Sequence, residues 1–267
     1  MRLWGVEAQK RLQRSHVLVS GLTTLGSELV KNLVLAGISV TLHDSQVVTQ
    51  RAVDSQFFLS EEDVGKNELN PLIQVTIETK VLKNLNDDYF KQFTAVCLVG
   101  AELDVELRLD ALCRSFGTAF YAARSFGYNG IVFIDLGEHT YRRDALGNDG
   151  SDPCTVKFPT LEDAQKVQWS SLQSARKRGP QLPQVLVKNQ LLQGYKSQKG
   201  VTAISSADDV DFIQALVRIA ATELVPICAI VAGIMGQEVI RAMSQKDEPI
   251  CNFFCFDGAT GIVRRVG

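Results

Sequence analysis

The sequence predicts an α/β protein: a Rossmann-like, mostly parallel sheet flanked by helices, with a small helical insert and a C-terminal strand pair. Three observations carry this. A β-rich run at 16–20 leads directly into Gly21-Leu22-Thr23-Thr24-Leu25-Gly26. A segment at 27–36 follows, with Leu29, Val30, Leu33 and Val34 at helical spacing, and Gly37 stands where a helix ends. A second strand at 38–42 then closes on His43-Asp44, and right-handed βαβ geometry makes the two strands parallel.

The alternation continues downstream. Residues 73–78 alternate like a strand, 95–99 read as a buried one, and 105–116 are helical with Leu107, Leu109, Leu112 and Cys113 on the apolar side. Strands at 118–123 and 131–136 are separated by the turn Gly127-Tyr128-Asn129-Gly130. From 138 to about 159 the composition turns to turn formers without hydrophobic period, which predicts a loop. Three helices at 161–177, 184–193 and 208–223 make the insert. A largely apolar helix at 226–243, one face thinned by Gly233 and Gly236, precedes strands at 252–256 and 262–266. The organisation read from this is a first part at 1–137, a loop and helical insert at 138–211, and a return to the first domain at 212–267.

Bulk composition narrows the function classes. A 45% hydrophobic and 22% charged share is that of a globular chain, and a formal charge of −2 gives no basic excess for nucleic acid or anionic membrane. No uninterrupted apolar run reaches the ~18 residues of a membrane span. The first five residues lack the layout of a secretory signal, and the six cysteines are scattered, four of them in apolar segments. The expectation is a reducing, intracellular environment.

The glycine turn after the first strand is the place where backbone N–H groups and a helix dipole can hold phosphate. The usual dinucleotide fingerprint has a third, central glycine; Thr23-Thr24 stands there instead. A tight turn without a ligand is the alternative. Asp44 occupies the position where an acid meets a ribose, or is a turn-forming carboxylate. A dehydrogenase reading rests on the βαβ unit alone, and no placed acid–base pair supports it.

Further motifs are specific in combination. Arg2-Leu3-Trp4-Gly5, Glu7-Ala8-Gln9, Lys31-Asn32-Leu33-Val34-Leu35-Ala36-Gly37, Ser55-Gln56-Phe57-Phe58, Asp63-Val64-Gly65-Lys66-Asn67, Phe126 to Gly130, Pro226 to Gly233, Gln237-Glu238 and Asn252 to Gly258 span the chain. Together they resemble the adenylation domains of enzymes that activate ubiquitin-like modifiers, the ThiF-like family. The first and last of them resemble the smaller, non-catalytic subunits of heterodimeric SUMO-activating enzymes. The resemblance implies a Rossmann-like pseudo-adenylation domain and a homologous catalytic partner subunit that carries Mg-ATP. It also implies contact with a SUMO-like modifier through the complex, and residence in nucleus and cytoplasm. The alternative within the family is a self-sufficient adenylyltransferase for a sulfur-carrier or ubiquitin-like protein.

Departures from the family pattern point to a degenerate site. Active members carry Asn-Arg-Gln-Phe after the second strand; here the run is Asp54-Ser55-Gln56-Phe57, so a cation is lost. The metal-binding aspartate after the fourth strand falls at Ala101, with Glu102 adjacent. Loss of a transition-state cation costs orders of magnitude in rate. Gly21, Gly26, Asp44 and Lys66 remain as the candidate residues of a vestigial nucleotide cleft, with no catalytic residue and no metal ligand assigned. Cys154, preceded by Asp152-Pro153, is placed in the loop region; an acidic neighbour disfavours a reactive thiolate. Paired Cys-x-x-Cys zinc motifs are lacking.

Overall fold

The computed structural model describes residues 6–45, 53, 76–143, 152–166, 185, 186, 188, 189, 192 and 222–266. Numbered along the chain, the strands are β1 (His16–Ser20), β2 (Ser39–His43), β3 (Thr76–Glu78), β4 (Ala95–Val99), β5 (Ala119–Phe126) and β6 (Asn129–Asp135). They continue as β7 (Glu138–Tyr141), β8 (Cys154–Lys157), β9 (Phe253–Asp257) and β10 (Ile262–Val266). The helices are α1 (Val6–Arg14), α2 (Thr24–Leu35), α3 (Leu103–Phe116), α4 (Leu161–Lys166) and α5 (Val225–Ser244).

The central sheet has the order β10-β9-β6-β5-β4-β1-β2-β3. Pairings from β3 through β2, β1 and β4 to β5 are parallel; β5 with β6, β6 with β9 and β9 with β10 are antiparallel. The chain order reverses between β1 and β4, and the crevice beyond the carboxyl ends of strands at such a point is the usual ligand position of open α/β sheets. The glycine turn leaves β1 there.

Residue alternation explains the layering. Val17 and Val19 of β1 join Leu25, Leu29 and Leu33 of α2 and Val231, Met235 and Val239 of α5 in one buried cluster. Leu18, between them, belongs to the opposite cluster with Leu109 and Cys113 of α3 and Phe120, Phe133 and Phe253. A sheet covered on both faces needs continuous apolar strands, which is why 95–99 lacks polar positions. α2 and α5 start together and run side by side: at Gly236 an added Cβ would stand 3.3 Å from Asn32 Cβ. Gly236 therefore serves close helix approach, whereas a Cβ on Gly233 would meet nothing within 4 Å. Three residues apart on one helix, the two glycines stand on neighbouring positions of the same side, Gly236 against α2 and Gly233 beside open space.

By length and hydropathy α5 would suffice to cross a membrane. It instead buries Ile227, Val231, Met235 and Val239 in the core.

Other expectations need correction. The segment expected as loop contains a hairpin, β7 with β8, in which Tyr141 faces Cys154; residues 144–151 lie outside the described residues. The helix expected to run to 223 does not include Thr222 and Glu223. Glu223 bridges to Gly127, and Pro226 opens a new helix in its first turn, where its missing N–H costs nothing. Most of 167–221, and 73–75 before β3, lie outside the described residues, although Val185, Leu186, Lys188, Asn189 and Leu192 are helical.

Candidate functional site

Both glycines of the turn are demanded by the chain's own backbone. Gly21 has φ +91°, and a Cβ there would stand 2.2 Å from the Val99 carbonyl oxygen. At Gly26 a Cβ would stand 2.0 Å from the Gly21 carbonyl oxygen. The turn is thus packed against β4 and against itself, and Gly21 N–H donates to the His43 carbonyl at 3.0 Å. Thr23 is the N-cap of α2, its hydroxyl accepting from Gly26 N–H at 3.4 Å.

Two further donors at the turn are directed at carboxylates. Leu22 N–H donates to Asp44 Oδ2 at 2.7 Å, and Thr24 N–H donates to Glu223 Oε2 at 2.8 Å. α2 has no acidic residue in its own first turn; the negative charge that its dipole favours arrives from 199 residues further along the chain. Glu223 is set there by its neighbours: Gly127 N–H donates to the Thr222 carbonyl at 2.7 Å, tying the segment before α5 to the end of β5.

The end of β2 is fixed by a buried imidazole. His43 Nε2 lies 2.6 Å from the Lys80 carbonyl, which can only accept, so that nitrogen carries the proton. Nδ1 then accepts from the Ser20 hydroxyl at 2.8 Å. His43 is a structural link between β1, β2 and the strand after them, and it holds Asp44 at the turn.

Just beyond the carboxyl end of β4 stands Ala101, whose carbonyl accepts from Arg124 of β5. The same guanidinium donates to Glu106 Oε1 at 2.9 Å, with side-chain exposures of 12% and 6% for Arg124 and Glu106. Glu102 points outward: it is 77% exposed, 3.8 Å from Lys83 Nζ. A cavity of about 20 Å³, room for a single water, lies beside Arg124 and Asn189.

The structure brings Gly21, Gly26 and Asp44 together; Lys66 and Ser55 lie outside the described residues. It adds Glu223 and Arg124, which carried no sequence signal because their partners are distant along the chain. Cys154 stands in the β7–β8 hairpin, its Sγ 3.9 Å from the Asp152 carbonyl. Burial pushes the Cys113, Cys228 and Cys255 thiols up to about 12, so these are packing residues. Among the described residues no group of three or more His, Cys, Asp or Glu is placed to hold a metal ion. A larger concavity of about 420 Å³, lined by Arg114, Asp135, Lys157 and Phe158, opens at the opposite end of the sheet.

Comparison with known proteins gives one consistent result. The ThiF family model matches residues 1–266. SUMO-activating enzyme subunit 1 of Danio rerio is 35% identical, the match covering 98% of this chain and 90% of that protein. The proteins of the same name from Xenopus tropicalis and Homo sapiens are each 33% identical over all of this chain, covering 94% and 93% of their own lengths. With a family model matched almost end to end, and relatives above 30% identity over nearly their full length, the chain belongs to the ThiF family.

Proposed function

We propose that this chain is the non-catalytic subunit of a heterodimeric SUMO-activating enzyme, supporting adenylation and thioester formation on a homologous catalytic partner that carries Mg-ATP. The observation that carries the reading is the full-length likeness to proteins named subunit 1 of that enzyme. The replaced positions Ser55 and Ala101 agree with it: one removes a cation and the other a metal-binding carboxylate from the family pattern.

The reading puts the partner against the outward stripe of α5. Val225 and Ile230 are each 45% exposed there, Ala229 is also exposed, and Gly233 leaves open space above the helix. Exposed aliphatic side chains around a small residue let a second surface approach closely.

The test is reconstitution with a SUMO-type catalytic subunit. Expected is modifier thioester on the partner only when both subunits are present, and loss of co-purification in Ile230→Asp. Modifier-dependent exchange of pyrophosphate into ATP by this chain alone would overturn the assignment in favour of a self-sufficient adenylyltransferase.

A further inference from the structure

We infer that this chain closes its own glycine turn: the Glu223 carboxylate takes the anion position at the start of α2, and the Arg124 guanidinium takes the cation position beside β4. The inference rests on the subunit reading and deepens it, because it names the residues that exclude the nucleotide.

A nucleotide triphosphate bound at such a turn needs backbone N–H groups free to donate, and a metal ion needs carboxylates at the end of the neighbouring strand. Here Thr24 N–H donates to Glu223 at 2.8 Å and Leu22 N–H to Asp44 at 2.7 Å. A phosphate brought to the start of α2 would have to displace the Glu223 carboxylate from the Thr24 N–H. On the metal side Ala101 offers only a carbonyl, and that carbonyl already accepts from Arg124. Glu106, the buried carboxylate nearest that point, is committed to Arg124 at 2.9 Å. A dication would meet a guanidinium there. The residues present do not fit Mg-ATP, and the two charges the family supplies through its ligand are supplied by Glu223 and Arg124.

Glu223 thereby does structural work. Its carboxylate joins the first residue of α2 to the segment entering α5, so the turn keeps its shape with no ligand required. This separates Glu223 from Asp44: an acid at the end of the second strand is common to nucleotide-binding relatives of the fold, whereas an acid on the α2 donor competes with phosphate for the same N–H.

The test is isothermal titration of inorganic tripolyphosphate, and separately of Mg-ATP, into the full chain as wild type, Glu223→Ala and Glu223→Gln at low salt. Wild type is expected to give no saturable heat with either probe at millimolar concentration. Glu223→Ala is expected to bind tripolyphosphate at least tenfold more tightly, and Glu223→Gln, which keeps an acceptor but loses the charge, to fall between. Amide exchange at Thr24 supplies a second readout: faster in Glu223→Ala, preserved in Glu223→Gln. If Glu223→Ala does not fold, Glu223→Gln carries the comparison alone. Binding of either probe by wild type as tightly as by the variants overturns the inference, and so does failure of the folded variants to gain affinity. In the second case the subunit assignment stands, since it is read from thioester formed on the partner.

Discussion

At the carboxyl ends of β1 and β2, two carboxylates each meet a backbone N–H; at the opposite end of the same sheet, two carboxylates meet one guanidinium. There Arg114 grips Asp135 in a bidentate pair at 2.8 and 2.9 Å, and Asp110 of α3 accepts from Leu161 N–H at 2.7 Å. The second oxygen of Asp110 has no hydrogen-bond acceptor role filled. Burial first, and the neighbouring Asp135 charge next, push Asp110 up to about 7, against the Leu161 N–H bond and Arg114, which pull the other way. Neutral Asp110 can donate to Asp135. Main-chain donors, fixed by the turn, hold two charges at one end; a single cation at the other end leaves one carboxyl to be settled by a proton.

The largest expected effect breaks the turn end. Gly26→Ala sets a methyl against the Gly21 carbonyl, and since that neighbour is backbone it cannot swing aside. A loss of about 4 kcal/mol, or failure to fold, is expected in urea unfolding. A loss under about 1 kcal/mol would mean the turn can open.

Next comes the opposite end. Arg114→Ala leaves Asp135, a side chain 2% exposed, without its cation. Removing one partner of a buried pair costs about 3 kcal/mol, somewhat discounted here because Arg114 reaches solvent. The same denaturation experiment checks it; an unchanged midpoint would show that Gly137 N–H, 2.7 Å from Asp135, suffices.

The smallest effect sharpens the contrast through pH. Asp110 has a folded value raised from 3.8 to about 7, so the folded state holds its proton longer than the unfolded chain. Its contribution is complete below pH 4 and is lost as pH rises towards 7. Asp110→Asn should remove that slope: the variant gains on wild type as pH rises across this window. Parallel stability curves for the two proteins from pH 4 to 8 would refute the shared-proton account.

What could be read from the sequence follows from how far each feature reaches along the chain. β1, β2, β4 and the C-terminal strand pair announced themselves through apolar runs and neighbouring turns, and α2, α3 and α5 through helical spacing. α1 escaped because, among its described side chains, only Ala8 and Leu12 are buried in a polar helix, too few to set a period. The β7–β8 hairpin escaped because its strands are only four residues each and most of its side chains are polar. Gly21, Gly26 and Asp44 were legible because one βαβ unit brings them together. Glu223 and Arg124 were not, because their roles exist only once β5 and the start of α5 have been laid beside the turn.

That distance gives the Thr24–Glu223 hydrogen bond a meaning during synthesis. The acceptor emerges 199 residues after the donor, and at 5–20 residues per second this is a delay of about 10–40 s. Through that interval β1 and α2 can form, but the α2 donor is left to water. The bond closes only when nearly the whole chain has been made, so its formation records that the two halves of the fold have met.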